Sequence, residues 1–144
     1  MDFRITNFDE GVFILNEDIS FPKDREIIIN VKVFPIFRYS ADMDVVVCQL
    51  TLKYYFKNTN LLTYGFAVAF RVKGWIDFIS TNPDKSAIID EIFNMWNASV
   101  NIGRGVLIDK TKNTQLKQFP IPEISKEKLN AILQIEQISN SKEQ

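Results

Sequence analysis

A chain of 144 residues with 46% apolar and 12% aromatic residues can build a sizeable core, and 24% charged residues is an ordinary globular share, which excludes general disorder. Seventeen basic against eighteen acidic residues leave a formal charge of -1 with no Lys/Arg cluster, so no nucleic-acid surface is expected. Histidine is absent and Cys48 is the one cysteine, which removes the common Ser/His/Asp and Cys/His nucleophile systems, an internal disulfide and nearly every zinc site.

Phe3 to Leu15 holds two short extended pieces around Asp9-Glu10-Gly11. Its start lacks the basic residues and apolar run of a secretory signal, and no apolar run is long enough for membrane insertion, so a cytoplasmic protein is expected. Arg25 to Tyr39 alternates Ile27, Ile29, Val31 and Val33 with more polar positions, a strand that ends in Phe34-Pro35-Ile36-Phe37. Pro35 lacks a ladder donor and favours a sheet edge or a bulge.

The clearest element is the hairpin from Val45 to Lys73. Val46, Cys48, Leu50, Leu52, Tyr54 and Phe56 alternate in its first arm, and Leu62, Tyr64, Phe66, Val68, Phe70 and Val72 in its second. A three-residue loop, Asn58-Thr59-Asn60, with Asn60 left-handed, sets Leu52 against Phe66 and places all twelve side chains on one face. The other face, from Val45, Val47, Gln49 and Thr51 to Gly65, Ala67, Ala69 and Arg71, is mixed.

The period then changes. Asn82 is positioned to cap a helix with Pro83 at its first position and Asp84 in its first turn, and Ile88, Ile89, Ile92, Phe93, Trp96 and Val100 form its stripe. The two glycines of Gly103-Arg104-Gly105 favour an interruption, with Arg104 in solvent or an ion pair, or else making a bidentate contact. Asp109 to Thr114 is a polar connection and Phe119-Pro120-Ile121-Pro122 is extended. Ser125 caps a last helix through Leu129, Ile132 and Leu133, with Ile138 its furthest candidate, and 139–144 is a polar, flexible tail. One α+β domain over 1–138 is expected.

No phosphate-binding glycine loop is present. The carboxylate pairs Asp9/Glu10, Asp42/Asp44 and Asp90/Glu91 are spaced for a solvated surface rather than for flanking one substrate bond. Cys48 reads as a small buried hydrophobe, and Tyr54/Tyr64 and Trp75/Trp96 as core or as pocket lining. Twelve strand residues span about 40 Å, while a helix from Asp84 to Val100 covers about 25 Å, so that helix alone leaves part of the apolar face for a second helix, a subunit or a bound partner.

Asp44 to Leu52, then Gly65 to Ile76 closing on Gly74-Trp75, then a helix holding Arg104 and the stretch Phe119-Pro120-Ile121-Pro122, together resemble the SecB-like protein-export chaperone family over roughly residues 17–123. The resemblance implies a curved four-stranded antiparallel sheet with a long central hairpin and helices packed on one face. It further implies a non-catalytic holdase without cofactor or metal that forms a homo-oligomer, dimer or tetramer, and binds unfolded clients in hydrophobic grooves. Candidate client-binding residues are Phe34, Ile36, Phe37, Trp75, Ile76 and Phe78. The chain departs from the best-known members in its near-neutral charge and in ending without their metal-binding tail, so delivery to the translocation ATPase is not carried over. Two alternatives remain open: a partner-specific structural or interaction subunit on the same scaffold, and a small-ligand-binding or hotdog-like enzyme domain.

Overall fold

The computed structural model describes residues 1–40, 42–81 and 85–138; the Asn82-Pro83-Asp84 cap and the 139–144 tail lie outside them. The elements are strands β1 (Phe3–Leu15), β2 (Asn30–Ser40), β3 (Val45–Phe56) and β4 (Thr59–Val72), helices α1 (Trp75–Thr81), α2 (Lys85–Thr111) and α3 (Lys126–Ile132), and a terminal strand β5 (Gln134–Ile138). The strands form one sheet in the order β1-β4-β3-β2-β5. The class is α+β as expected, but the sheet has five strands rather than four. The residues after Leu133 leave α3 and pair parallel to β2 instead of prolonging the helix.

β1 is one strand whose register shifts twice, between Ile5 and Asn7 and between Glu10 and Phe13. The second irregularity holds Gly11, and it is why the segment reads as two pieces in sequence.

The hairpin keeps its faces but not its pairing. Leu52 lies opposite Tyr64 rather than Phe66, a slip of two residues that leaves each side chain on the side its alternation assigned. The loop is the two residues Lys57-Asn58, and the left-handed residue is Lys57 (φ 55°), not Asn60. A bulge takes up the difference: Tyr54 pairs with Leu62 and Tyr55 with Asn60, so Leu61 is the extra residue and both leucines are buried. The Asn60 side chain spans the bulge, donating to the Tyr54 and Leu62 carbonyls and accepting from Thr63 Oγ1.

All of the predicted apolar face except Phe56 is buried, under helices. α2 supplies Ile89, Ile92, Met95, Trp96, Val100 and Leu107 at spacings of three and four, and it continues unbroken through Gly103 and Gly105. At 27 residues it is about 40 Å long, the length of the strands it crosses. The expected shortfall of helical cover over the apolar face is therefore absent. Gly103 marks a close approach rather than a break, since a Cβ there would lie 2.3 Å from Phe66 Cζ. Arg104 makes the bidentate contact: Nε and Nη2 both donate to the Ile121 carbonyl (3.2 and 2.9 Å), fastening the proline-bearing segment so that Ile121 and Ile124 enter the core. Ser125 caps α3 as its sequence indicates, accepting from Lys128 N, and Leu129 is fully buried.

The short helix α1 is absent from the sequence-based expectation. It begins where Gly74 turns the chain (φ 79°), and the Asp44 carboxylate accepts from the Gly74 and Ile76 amides at 3.2 Å each. That carboxylate satisfies amides a helix start leaves unpaired, and it joins the β2–β3 connection to the end of β4.

Candidate functional site

With the described helices on one side, the mixed face of the sheet is the one that the described residues leave open. Strand pairing fixes its rows: Asn7, Ala69, Val47 and Arg38 lie side by side, then Asp9, Ala67, Gln49 and Ile36, then Gly65, Thr51 and Phe34. Gly65, Ala67, Ala69 and Val47 make the middle of this face small or aliphatic, interrupted by the polar Gln49 and Thr51, with Asn7 and Asp9 at the β1 margin. Val45, Val47, Ile36, Ala67 and Ala69 are half-buried, and Phe34 is 47% exposed. Gly65 is part of this relief, because a Cβ there would come within 3.2 Å of Val12 Cγ1. A depression of about 310 Å³ lies over that point.

The margin near β2 is cationic. Lys53 Nζ sits 5.6 Å from the Phe34 ring centroid and Lys32 Nζ 5.1 Å from that of Tyr55, so two aromatic rings and two ammonium groups share one end of the face. Arg38 is held by Glu136 of β5 at 3.1 Å.

Along the outer side of β2, β5 pairs only with Ile36 to Ser40. From Asn30 to Pro35 that side has no strand partner among the described residues. An unpaired strand edge presents backbone donors and acceptors to any extended chain, and Pro35 removes one donor where β5 begins. Beside this edge Ile28 is 76% exposed, next to a hollow of about 480 Å³ lined by apolar Pro22, Ile29 and Phe56 and by charged Arg25, Glu26 and Lys57.

No protein-family model matches the sequence, and no curated protein matches it. A solved structure does. The chain is similar to a SecB-like chaperone of Mycobacterium tuberculosis, determined in complex with a ChAD peptide from the HigA1 antitoxin. The likeness has a TM-score of 0.49 at 11% identity, over 85% of this chain and 90% of that one.

The six residues singled out from the sequence fall on two sides of the sheet. Phe34 and Ile36 belong to the open face. Phe37 and Trp75 are 1% and 0% exposed, packed edge to face at 5.5 Å on the helix side, with Phe78 against Trp75 at 5.6 Å. Phe37 and Trp75 thus have no surface to offer a client, because alternation along β2 turns Phe37 away from its neighbours Phe34 and Ile36. Ile76 and Phe78, on α1, keep partial exposure. At Pro35 the sequence favours an edge or a bulge, and the edge is found there, on the strand where β5 cover stops; what the sequence-based reading missed is that β5 fills the other half of that edge.

The titratable groups of the helix-side core are unsuited to chemistry near neutral pH. Burial pushes the Cys48 thiol from an ordinary 9.0 up to about 12, opposed by a hydrogen bond with Ser99. Burial likewise lifts Tyr64 to about 12, with Glu10 adding to it, and raises Tyr54 against the opposing charge of Arg104. Both tyrosine hydroxyls lack a hydrogen-bond partner among the described residues. Native Cys48 is therefore expected to resist a thiol reagent at pH 8 and to react only on unfolding. Above 9.0 the unfolded thiol ionises while the folded one stays protonated, so stability is full below that pH and falls as pH rises toward about 12. A urea-unfolding series from pH 8 to pH 10 checks this, and Cys48→Ala should flatten the decline above pH 9.

Proposed function

We propose that this protein is a non-catalytic polypeptide-binding protein of SecB-like type, a cytoplasmic holdase built as one domain over 1–138 that works as a dimer or tetramer. One observation carries the reading: among the described residues, the edge of β2 from Asn30 to Pro35 has no strand partner and runs beside a sheet face that no helix covers. An extended client would add backbone hydrogen bonds along Asn30 to Phe34 and lay alternate side chains against Phe34 and Ile36. Ile76 and Phe78 at the far end of the sheet offer secondary apolar contacts. Affinity would then come from many weak contacts without nucleotide or cofactor.

Light scattering of a reduced, unfolding client tests the proposal. Suppression of aggregation at stoichiometric amounts, by an oligomer, is the expected result; a monomer that leaves aggregation unchanged overturns it. Co-purification with a single protein, without general suppression, would instead mark a partner-specific subunit on the same scaffold. Within the leading reading, Phe34→Ala should weaken client binding about five- to tenfold, the cost of truncating a contact worth roughly 1 to 1.5 kcal/mol. Its melting temperature should stay within about 2 °C of the parent, since exposed positions contribute little to stability.

A further inference from the structure

The outer edge of β2 is half open and half filled by the chain's own β5, and β5 is lightly held. Among the described residues it is the one parallel strand in the sheet, five residues long and paired with β2 alone. Parallel pairing is slightly weaker per residue than antiparallel. None of its residues is buried, and its two isoleucines, Ile135 and Ile138, are 36% and 38% exposed. Among the described residues a single ion pair ties its side chains to the rest of the fold, Glu136 to Arg38, and both groups are partly exposed (37% and 41%). The preceding helix is anchored independently by Leu129, so β5 can leave the edge while α3 stays docked. Few buried apolar contacts and an exposed ladder mark a segment that opens far below the global unfolding free energy.

We propose that β5 is a built-in competitor for client: it occupies the Ile36–Ser40 half of the edge and must peel away for an extended polypeptide to pair along the whole of β2. The proposal rests on the polypeptide-binding reading above. β5 also shows what that half of the edge accepts. Its sequence places an acidic residue between two aliphatic ones, with the acid on Arg38. The favoured client is thus an extended segment with an aliphatic-acidic-x-aliphatic pattern that begins at the open, lysine-lined half and replaces β5 contact by contact. A bound state reached only after β5 opens has an apparent affinity reduced by the fraction of molecules already open.

The probe is fluorescein-labelled, reduced and carboxymethylated α-lactalbumin, titrated with full-length protein and followed by anisotropy. In Glu136→Lys the ion pair becomes a repulsion, and binding should tighten about three- to tenfold as the open fraction rises. In Arg38→Cys/Glu136→Cys, oxidation should lock β5 and weaken binding about tenfold relative to the same protein reduced, which serves as its own control for folding. Equal affinity of the oxidised and reduced forms, with the parent protein binding normally, overturns the competitor role alone. Failure of the parent itself to bind the probe overturns the polypeptide-binding reading, and this inference with it. Should Glu136→Lys not fold, as judged by its melting curve, the locked variant decides the question.

Discussion

Replacing Gly103 by alanine should destabilise the protein by about 1 to 3 kcal/mol, while the same replacement at Gly105 should stabilise it by up to about 1 kcal/mol. The two positions share a helix and lie two residues apart, so intrinsic helix propensity favours alanine equally at both. They differ in what the methyl group meets. At Gly105 nothing lies within 4 Å of an added Cβ. At Gly103 the Cβ would sit 2.3 to 2.9 Å from three atoms of the Phe66 ring. Phe66 is 2% exposed and is flanked by Phe8 and Tyr64 at 5.6 and 5.5 Å between centroids, so the ring cannot swing aside without moving them. α2 must lift off the sheet or the ring cluster must shift, and a close-packed interior resists both. Urea denaturation of the two single variants checks the opposite signs. Shrinking the obstacle in Gly103→Ala/Phe66→Leu should be less costly than the two single changes summed, a coupling expected of residues in contact. Equal behaviour of Gly103→Ala and Gly105→Ala would refute the close approach.

Trp75→Ala should cost about 3 to 5 kcal/mol, the range for emptying a large aromatic from a core, and a large share of a domain's total stability. Trp75 has no exposed surface and joins α1 to β2 through Phe37. Its indole Nε1 lacks a hydrogen-bond partner among the described residues, so the loss is one of packing and not of a polar contact. Trp75→Phe should accordingly cost much less, because part of the volume is kept and an unpaired buried donor is removed. The informative contrast is with Phe34→Ala, which should leave the denaturation midpoint nearly unchanged and lower client binding instead. If Trp75→Ala left stability intact, the division of these residues between core and open face would be wrong.

That division shows where sequence reading ends. Phe34, Ile36 and Phe37 look alike in a linear search for exposed aromatics and aliphatics, and only the parity of their positions separates them. Parity was readable; which parity would be covered was not, because that depends on where α1 and α2 land. Arg104 illustrates the same limit. Its type and its neighbouring glycines were visible, but its partner is a carbonyl 17 residues away, brought close only by the return of the Phe119–Pro122 segment. The break expected at Gly103 was a sound reading of local propensity, outweighed by the benefit of bringing α2 against Phe66.

The sequence by itself determined the α+β class, the two faces of the central hairpin, the apolar stripe of α2 and the Ser125 cap, because each is written in spacings of two, three or four residues along one segment. Only the tertiary structure decided the two-residue slip absorbed at Leu61, the unbroken course of α2, the addition of β5 to the sheet and the half-open edge of β2. These depend on which distant segments meet: Pro35 marks a place where an edge is favoured, but how far the edge stays open is defined by the partner it lacks, which a local pattern does not encode.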